Sequence, residues 1–354
     1  MKKVCLCFIS LVFLSGCVEQ QVIDKLNIET AQGYDLEENN LLKGTILYSQ
    51  YLPDKSVQNQ TLSTVAKTSR DVLSDLEKNS NKPLVTGGLQ VVLFSDSISK
   101  HGFVSLVDSL QRDPNIGSRI LLAVTEGSAE NVLKGIYGYE GNGTYISDML
   151  KHNIERRDVP KVNLHLFGAY YEQIGRDPYL PLIQKKGMNQ LKLTGIALFK
   201  EDKYVKKIPS NKMFYFKLLV DKYSEGSQVV EVGKYQAVVR SIHSKNKFKV
   251  NKHKSPYEIV IHIKVNAVVR EYSGQKATYP VIKRIEKKME KDIKKESLKM
   301  LKSFQKKGID PVGIGFRVKT STKHFNHQLW KKQYKNVTFK VIPEVQIMES
   351  GTVE

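Results

Sequence analysis

The sequence predicts an α+β protein of more than one domain: an N-terminal α/β part, then a C-terminal antiparallel sheet packed on a long amphipathic helix. Three observations predict it. Strand-like and helix-like apolar patterns alternate between Gly88 and Ile136, an order that places neighbouring strands in one sheet. In the span 257–269, Ile259, Ile261, Ile263, Val265, Ala267 and Val269 are apolar, while His262, Lys264 and Asn266 fall between them. That alternation is a half-buried strand. Between Pro280 and Gly308, the residues Ile282, Ile285, Met289, Ile293, Met300 and Phe304 form one helical stripe. Proline suits a first helical turn, and glycine suits the position just past the last.

Taken in order, Ile28–Tyr34 and Leu41–Tyr51 read as strands joined by Glu37-Glu38-Asn39-Asn40. Leu62, Val65, Val72, Leu73 and Leu76 recur at helical spacing, which predicts a helix near Leu62–Leu76. Gly88–Phe94 is a continuous apolar strand, and Phe103, Leu106, Val107 and Leu110 mark a helix face. Arg119–Thr125 is a further strand, followed by a helix face at Ala129, Val132, Leu133 and Ile136. The glycine-rich stretch 138–143 is a loop, with helices expected near Tyr145–Glu155 and Val162–Ile174. Gln190–Phe199 is strand-like, and Ser210 is placed to cap a helix running to about Tyr223. Val229–Val232, Tyr235–Ile242 and Phe248–Val250 read as short strands, and Val337–Ile347 closes the chain. The implied organisation is 1–16 as a signal peptide, 17–27 as a tether, 28–190 as the α/β domain, 191–225 as a connecting hairpin and helix, and 226–354 as the α+β domain. The length agrees with this, at ~100–200 residues per domain.

The first 17 residues carry their own signal. Lys2 and Lys3 precede an apolar run from Val4 to Leu14 broken only by Ser10. At about 11 residues this is too short to span a bilayer and has the form of an export signal. Leu14-Ser15-Gly16-Cys17 resembles a bacterial lipobox. In that pattern the Cys17 thiol takes a diacylglyceryl group and, after cleavage, becomes the N-terminus. Two acyl chains give stable anchoring where one does not. The alternative is an ordinary secretory peptide with an incidental cysteine.

All three cysteines (Cys5, Cys7, Cys17) fall at or before that cleavage point. A processed, lipidated chain therefore has no thiol for nucleophilic, redox or metal chemistry. Charge is unevenly placed. Residues 201–354 carry 34 Lys+Arg against 15 Asp+Glu, whereas the first 200 carry 22 against 21. The basic half serves solubility or attraction to an anionic membrane surface. Nucleic-acid binding is not expected, because aromatic and basic residues do not interleave.

The motifs hold little other chemistry. His324 and His327 form HxxH without a neighbouring carboxylate, and neither HExxH nor GxSxG occurs. The stretch from Gly226 to Lys234 is too long for a P-loop and lacks the following Ser or Thr. Gly141-Asn142-Gly143 and Gly313-Ile314-Gly315 read as turns or close-packing sites. Arg112-Asp113-Pro114 and Arg176-Asp177-Pro178 repeat a tripeptide. Each fits helix termination, or a functional Arg–Asp pair if a cleft encloses it. Trp330 and Tyr334, flanked by Lys331, Lys332 and Lys335, read as core, with interface anchoring as the alternative. No catalytic, cofactor-binding or metal-ligating residue is assigned.

With these residues laid out, the chain resembles the C subunit of spore germinant receptors, the Ger(x)C lipoprotein family. The resemblance is carried by the lipobox, Arg112-Asp113-Pro114 with Ile116, and Gly195–Lys200 followed by Asp202-Lys203. The helix reaching Asp310, Trp330 with Tyr334, and the closing Ile347–Gly351 complete it. The chain departs from the pattern at Val18-Glu19, Lys206 and Gly117. The resemblance implies a non-enzymatic lipoprotein on the outer face of the spore inner membrane, required for germination. It also implies assembly with integral-membrane A and B subunits, with Cys17 as the lipid attachment site and no cofactor. A solute-binding lipoprotein delivering a small nutrient to a transporter is the competing function; it predicts two similar lobes around a cleft.

Overall fold

In the computed structural model the described residues are 25–348, apart from 53–55, 223 and 252–255. Cys17, and the part of the closing Ile347–Gly351 beyond residue 348, lie outside them.

Two sheets share the chain. The first is built from β1 (Asn27–Leu36), β2 (Leu42–Tyr51), β3 (Val57–Ala66), the two-residue β4 (Leu84–Val85), β5 (Val91–Ser95), β6 (Leu121–Thr125), β7 (Tyr179–Lys186), β8 (Gln190–Lys200) and β9 (Lys203–Pro209). Their order is β3-β2-β1-β5-β6-β7-β8-β9, with β4 pairing β1. The centre, β1-β5-β6-β7, is parallel, and hairpins extend both edges in antiparallel fashion. Parallel strands require crossovers, and helices supply them. These are α1 (Ser69–Asn79), α2 (Asp96–His101), α3 (Val104–Arg112), α4 (Ala129–Leu133), α5 (Asn142–Arg156) and α6 (Leu164–Glu172). Val91–Ser95 is buried throughout, as a strand covered on both faces must be.

The helix α7 (Met213–Val220) follows the first sheet in the chain and joins the halves. Met213 through Leu219 are all buried.

The second sheet contains β10 (Ser224–Val232), β11 (Tyr235–Asn251), β12 (Glu258–Tyr272) and β13 (Thr338–Ile347). The first three are antiparallel, and Gly233 at φ 64 allows the two-residue turn between β10 and β11. The alternation expected for 257–269 is present, with Ile259, Ile261, Ile263, Val265 and Ala267 buried. The 29-residue helix α8 (Tyr279–Lys307) comes after β12, with proline in its first turn and Gly308 at φ 66 as its cap. Because α8 carries the chain back along the sheet, β13 adds parallel to β12 and not antiparallel. Glu290 and Glu286 on α8 accept the β13 amides of Val345 and Ile347 at 3.0 and 2.9 Å. Two short helices, α9 (Ile314–Ser321) and α10 (His327–Tyr334), lie between α8 and β13.

Phe216 of α7 meets Tyr179 of β7 edge-on at 5.2 Å and Phe304 of α8 at 6.1 Å. One apolar cluster therefore runs from Tyr34 in the first sheet to Val345 in the second. A smaller cluster, including Leu93, Leu133 and Ile146, lies under α4 and α5 on the opposite face.

Several local expectations are corrected. The helix expected over Leu62–Leu76 begins only at Ser69; Leu62 and Val65 belong to β3, paired residue by residue with β2. In a strand residues three apart point to opposite faces, and here Leu62 packs against the core while Val65 is exposed; pairing with β2 sets the state. Thr68 caps α1 by accepting the amide of Asp71 at 3.2 Å. Tyr235–Ile242 and Phe248–Val250 are not separate strands but one, β11, bent by a register shift at Ser241/His243. The strand β7 has no counterpart in the sequence reading. The hairpin 190–209, expected in the connecting stretch, hydrogen-bonds onto β7 and ends the large sheet.

Candidate functional site

The two Arg-Asp-Pro tripeptides have different fates. At the first, Arg112 pairs with Asp108 at 2.8 Å on the surface, and Asp113 accepts the amide of Asn115. That is helix termination. The second, Arg176-Asp177-Pro178, sits where the two halves meet, after α6. Asp177 accepts the amides of Asp310 (2.5 Å) and Glu201 (3.3 Å) and donates its own amide to the Asp310 carbonyl at 3.0 Å. Asp310 in turn accepts the Gly315 amide at 2.7 Å. Phe316 N donates to Gly175 O, bringing the two backbones together. A Cβ at Gly315 would collide with Trp330 Nε1 and lie 2.8 Å from the Gly175 Cα. The sequence left this glycine as a turn or a close-packing site, and it is the latter.

A cleft of about 380 Å³ opens on this junction. Tyr171, Arg176, Lys200, Asp310, Trp330 and Tyr334 are among the residues lining it. Lys200, Asp310, Trp330 and Tyr334, which the sequence could only string together by order, are thus gathered at one place. Trp330 is 4% exposed and packs 5.6 Å from the Tyr334 ring, so it is core. Tyr334 donates its hydroxyl to Ile309 O at 2.9 Å.

Electrostatics at the junction follow burial. Burial pushes Asp310 up to about 7, despite the amides it accepts, and neighbouring Asp177 adds to the rise. Asp177 is also raised, chiefly by burial. Arg176 lies 3.4 Å over the Tyr170 ring, and Arg317 lies 3.9 Å over Phe248. Burial, then the neighbouring Arg176, lowers Arg317. Because both carboxylates hold backbone amides, they act here as latches between segments. Their geometry is that of a structural clasp beside a small cleft whose lining is mainly apolar.

The remaining candidates disperse. His327 lines the cleft, while His324 sits at positive φ in a turn. Among the described residues no group of three or more His, Cys, Asp or Glu could hold a metal ion. No helix among them is long and apolar enough to cross a membrane. Several α8 charges are paired, as in Lys283–Glu286 at 2.7 Å and Lys288–Asp292 at 2.7 Å. Lys206, a departure from the family pattern, donates to Ser303 of α8. Sequence reading missed Lys217 and Asp221. The buried Lys217 ammonium donates to Ile154 O and Arg157 O, and Asp221, pushed to about 6 chiefly by burial, accepts the Lys161 amide. A lone lysine inside Met213–Val220 was the available signal.

The fold is thus that of an α+β protein of two sheets fused through α7 and the Asp177–Asp310 clasp. Residues 19–185 match the family described as the spore germination protein N-terminal domain, and residues 194–351 match the C-terminal domain of the spore germination B3/GerAC-like family. Spore germination protein GerQC of Bacillus cereus is 33% identical over 360 residues, covering 100% of both chains. The putative spore germination protein YfkR of Bacillus subtilis (strain 168) is 23% identical over 303 residues, 81% of this chain and 77% of that relative. The crystal structure of the GerBC protein shares the fold, with a TM-score of 0.61 at 15% identity over 94% of this chain and 100% of that one. The chain belongs to the GerAC-like family of spore germination proteins.

Proposed function

We infer that this chain is the non-enzymatic C subunit of a nutrient germinant receptor, required for spore germination. Similarity to GerQC along the whole chain is the observation that carries this reading, since it takes in both family domains. The subunit is held on the extracytoplasmic face of the spore inner membrane through a diacylglyceryl group on Cys17. It works there with the integral-membrane A and B subunits. The lipobox spacing supports the anchor. The clasp carboxylates engage backbone amides, in keeping with a scaffold and not with acid–base chemistry. A solute-binding lipoprotein would present two like lobes, whereas a large, centrally parallel sheet here joins a four-stranded sheet through one continuous core.

The test is deletion in each receptor background. Loss of the response to at least one nutrient, restored by the intact gene, is expected. Unchanged responses to every nutrient would sink the receptor role.

A further inference from the structure

The segment between α4 and α5 presents large apolar side chains to solvent. Tyr139 and Ile136 are 96% and 63% exposed, and Met188 at the tip of the β7–β8 hairpin is 57% exposed. Ile136 N donates to Met188 O at 3.0 Å, so the loop and the hairpin tip form one surface. That surface is held in place. The buried Asn142 side chain donates to Leu133 O and Gly135 O at 2.9 and 2.6 Å and accepts the Tyr137 amide at 3.1 Å. Tyr137, between the two exposed residues, is buried and stacks on Tyr145 at 5.4 Å. A loop that hides Tyr137 and holds Ile136 and Tyr139 outward is preorganised for contact. Clustered apolar exposure marks an interaction surface.

Lysines outnumber acids at the margin. Segments 134–141 and 185–192 contain Lys134, Lys185, Lys186 and Lys192 against Glu140, and Asp148 lines the same shallow pocket as Tyr139. Lys134 is paired with Glu130, and Lys185 donates to Asn131 O, while Lys186 and Lys192 are exposed. We propose that this surface dips into the interfacial region of an anionic lipid bilayer. A tyrosine ring places an apolar body below a polar tip at headgroup depth. Lysine stems lie along apolar material with their ammonium groups among lipid phosphates. The chain can reach. A Cβ at Gly143 would touch the Thr30 backbone at 3.0 Å, so the first turn of α5, which directly follows the loop, abuts the first strand. The nine residues from Cys17 to Lys25, eight steps along the chain, can span at most ~26–29 Å. The inference rests on the lipid anchor proposed above, which holds the body beside the bilayer.

The experiment places a reporter at the loop. Tyr139→Trp is made in the full-length lipoprotein and reconstituted into phosphatidylglycerol-rich vesicles with and without brominated acyl chains. The native Trp330 is buried, so it supplies a constant background. Emission from the indole introduced at position 139 is expected to shift to shorter wavelength and to be quenched by brominated lipid. Ile136→Ser with Met188→Ser in the same background is expected to lose most of that quenching. The readout is local to the loop, and acylation of Cys17 is scored separately by mass spectrometry, so failure of either reading is seen by itself. Protein retained on vesicles, or mixed with excess vesicles when unacylated, whose introduced indole remains unshifted and unquenched would overturn the proposal. A shift without lipid quenching, seen only in membranes carrying the other receptor subunits, would overturn it in favour of a protein partner.

Discussion

The Asp177 carboxylate accepts the amide of Asp310 at 2.5 Å while the Asp177 amide donates to the Asp310 carbonyl at 3.0 Å. Residues 133 positions apart thus lock each other's backbone at the seam between the two sheets. Together with α7, this clasp makes the two halves one packed unit.

Stability is expected to fall as pH rises from about 4 to about 7, the interval between the ordinary and the raised carboxyl values. Asp310 is pushed up to about 7 by burial and then by Asp177, Glu29 to about 7 by burial, and Asp221 to about 6 by burial. A raised folded value means that the native state holds the proton more tightly than the unfolded chain. Stability is therefore full below the unfolded value and is lost as pH climbs through the folded one. Asp310→Asn, which keeps an acceptor for Gly315 N, is expected to flatten this slope. Melting temperatures of both proteins from pH 5 to pH 8 are the measurement; parallel curves would contradict it.

Gly315→Ala is expected to cost ~1–3 kcal/mol, the usual range for overpacking. The added methyl meets Trp330 and the Gly175 backbone, and backbone has little room to yield. Urea denaturation reads the loss.

Phe216→Ala is expected to destabilise by ~3–5 kcal/mol, as large aromatic truncations in cores do. Since Phe216 touches both Tyr179 and Phe304, the two sheets should melt earlier together. Hydrogen exchange that rises in only one sheet would argue against a shared core.

Asn142→Ala removes three hydrogen bonds to the 133–137 backbone. At ~1 kcal/mol or more for each buried group left unpaired, local opening should increase strongly. Exchange of the Tyr137 amide is the probe, and unchanged protection would show that the loop is held by other means.

Cys17→Ala is expected to move the protein from the membrane fraction to the soluble fraction. Retention with normal germination would count against the anchor.

Local pattern and its limits can be traced in particular residues. The helix from Pro280 to Gly308 and the alternation of Ile259 through Ala267 were legible, because a face buried by one element imposes its own period on neighbouring residues. Trp330 as core was legible for the same reason. Leu62 and Val65 misled, since their spacing fits a helix until β2 is present to pair with them. The second Arg-Asp-Pro looked like the first, and only contact with residue 310 separated a latch from a helix stop.

By itself the sequence determined the order of most elements, the basic C-terminal half, the absence of cysteine beyond position 17 and the family pattern, all of which are properties of neighbours along the chain. The tertiary structure alone decided the parallel entry of β13, the seam at Asp177 and Asp310, and the joining of Ile136 and Tyr139 with Met188 on one surface. Such pairings depend on how distant segments fill space against each other, and no local periodicity encodes them.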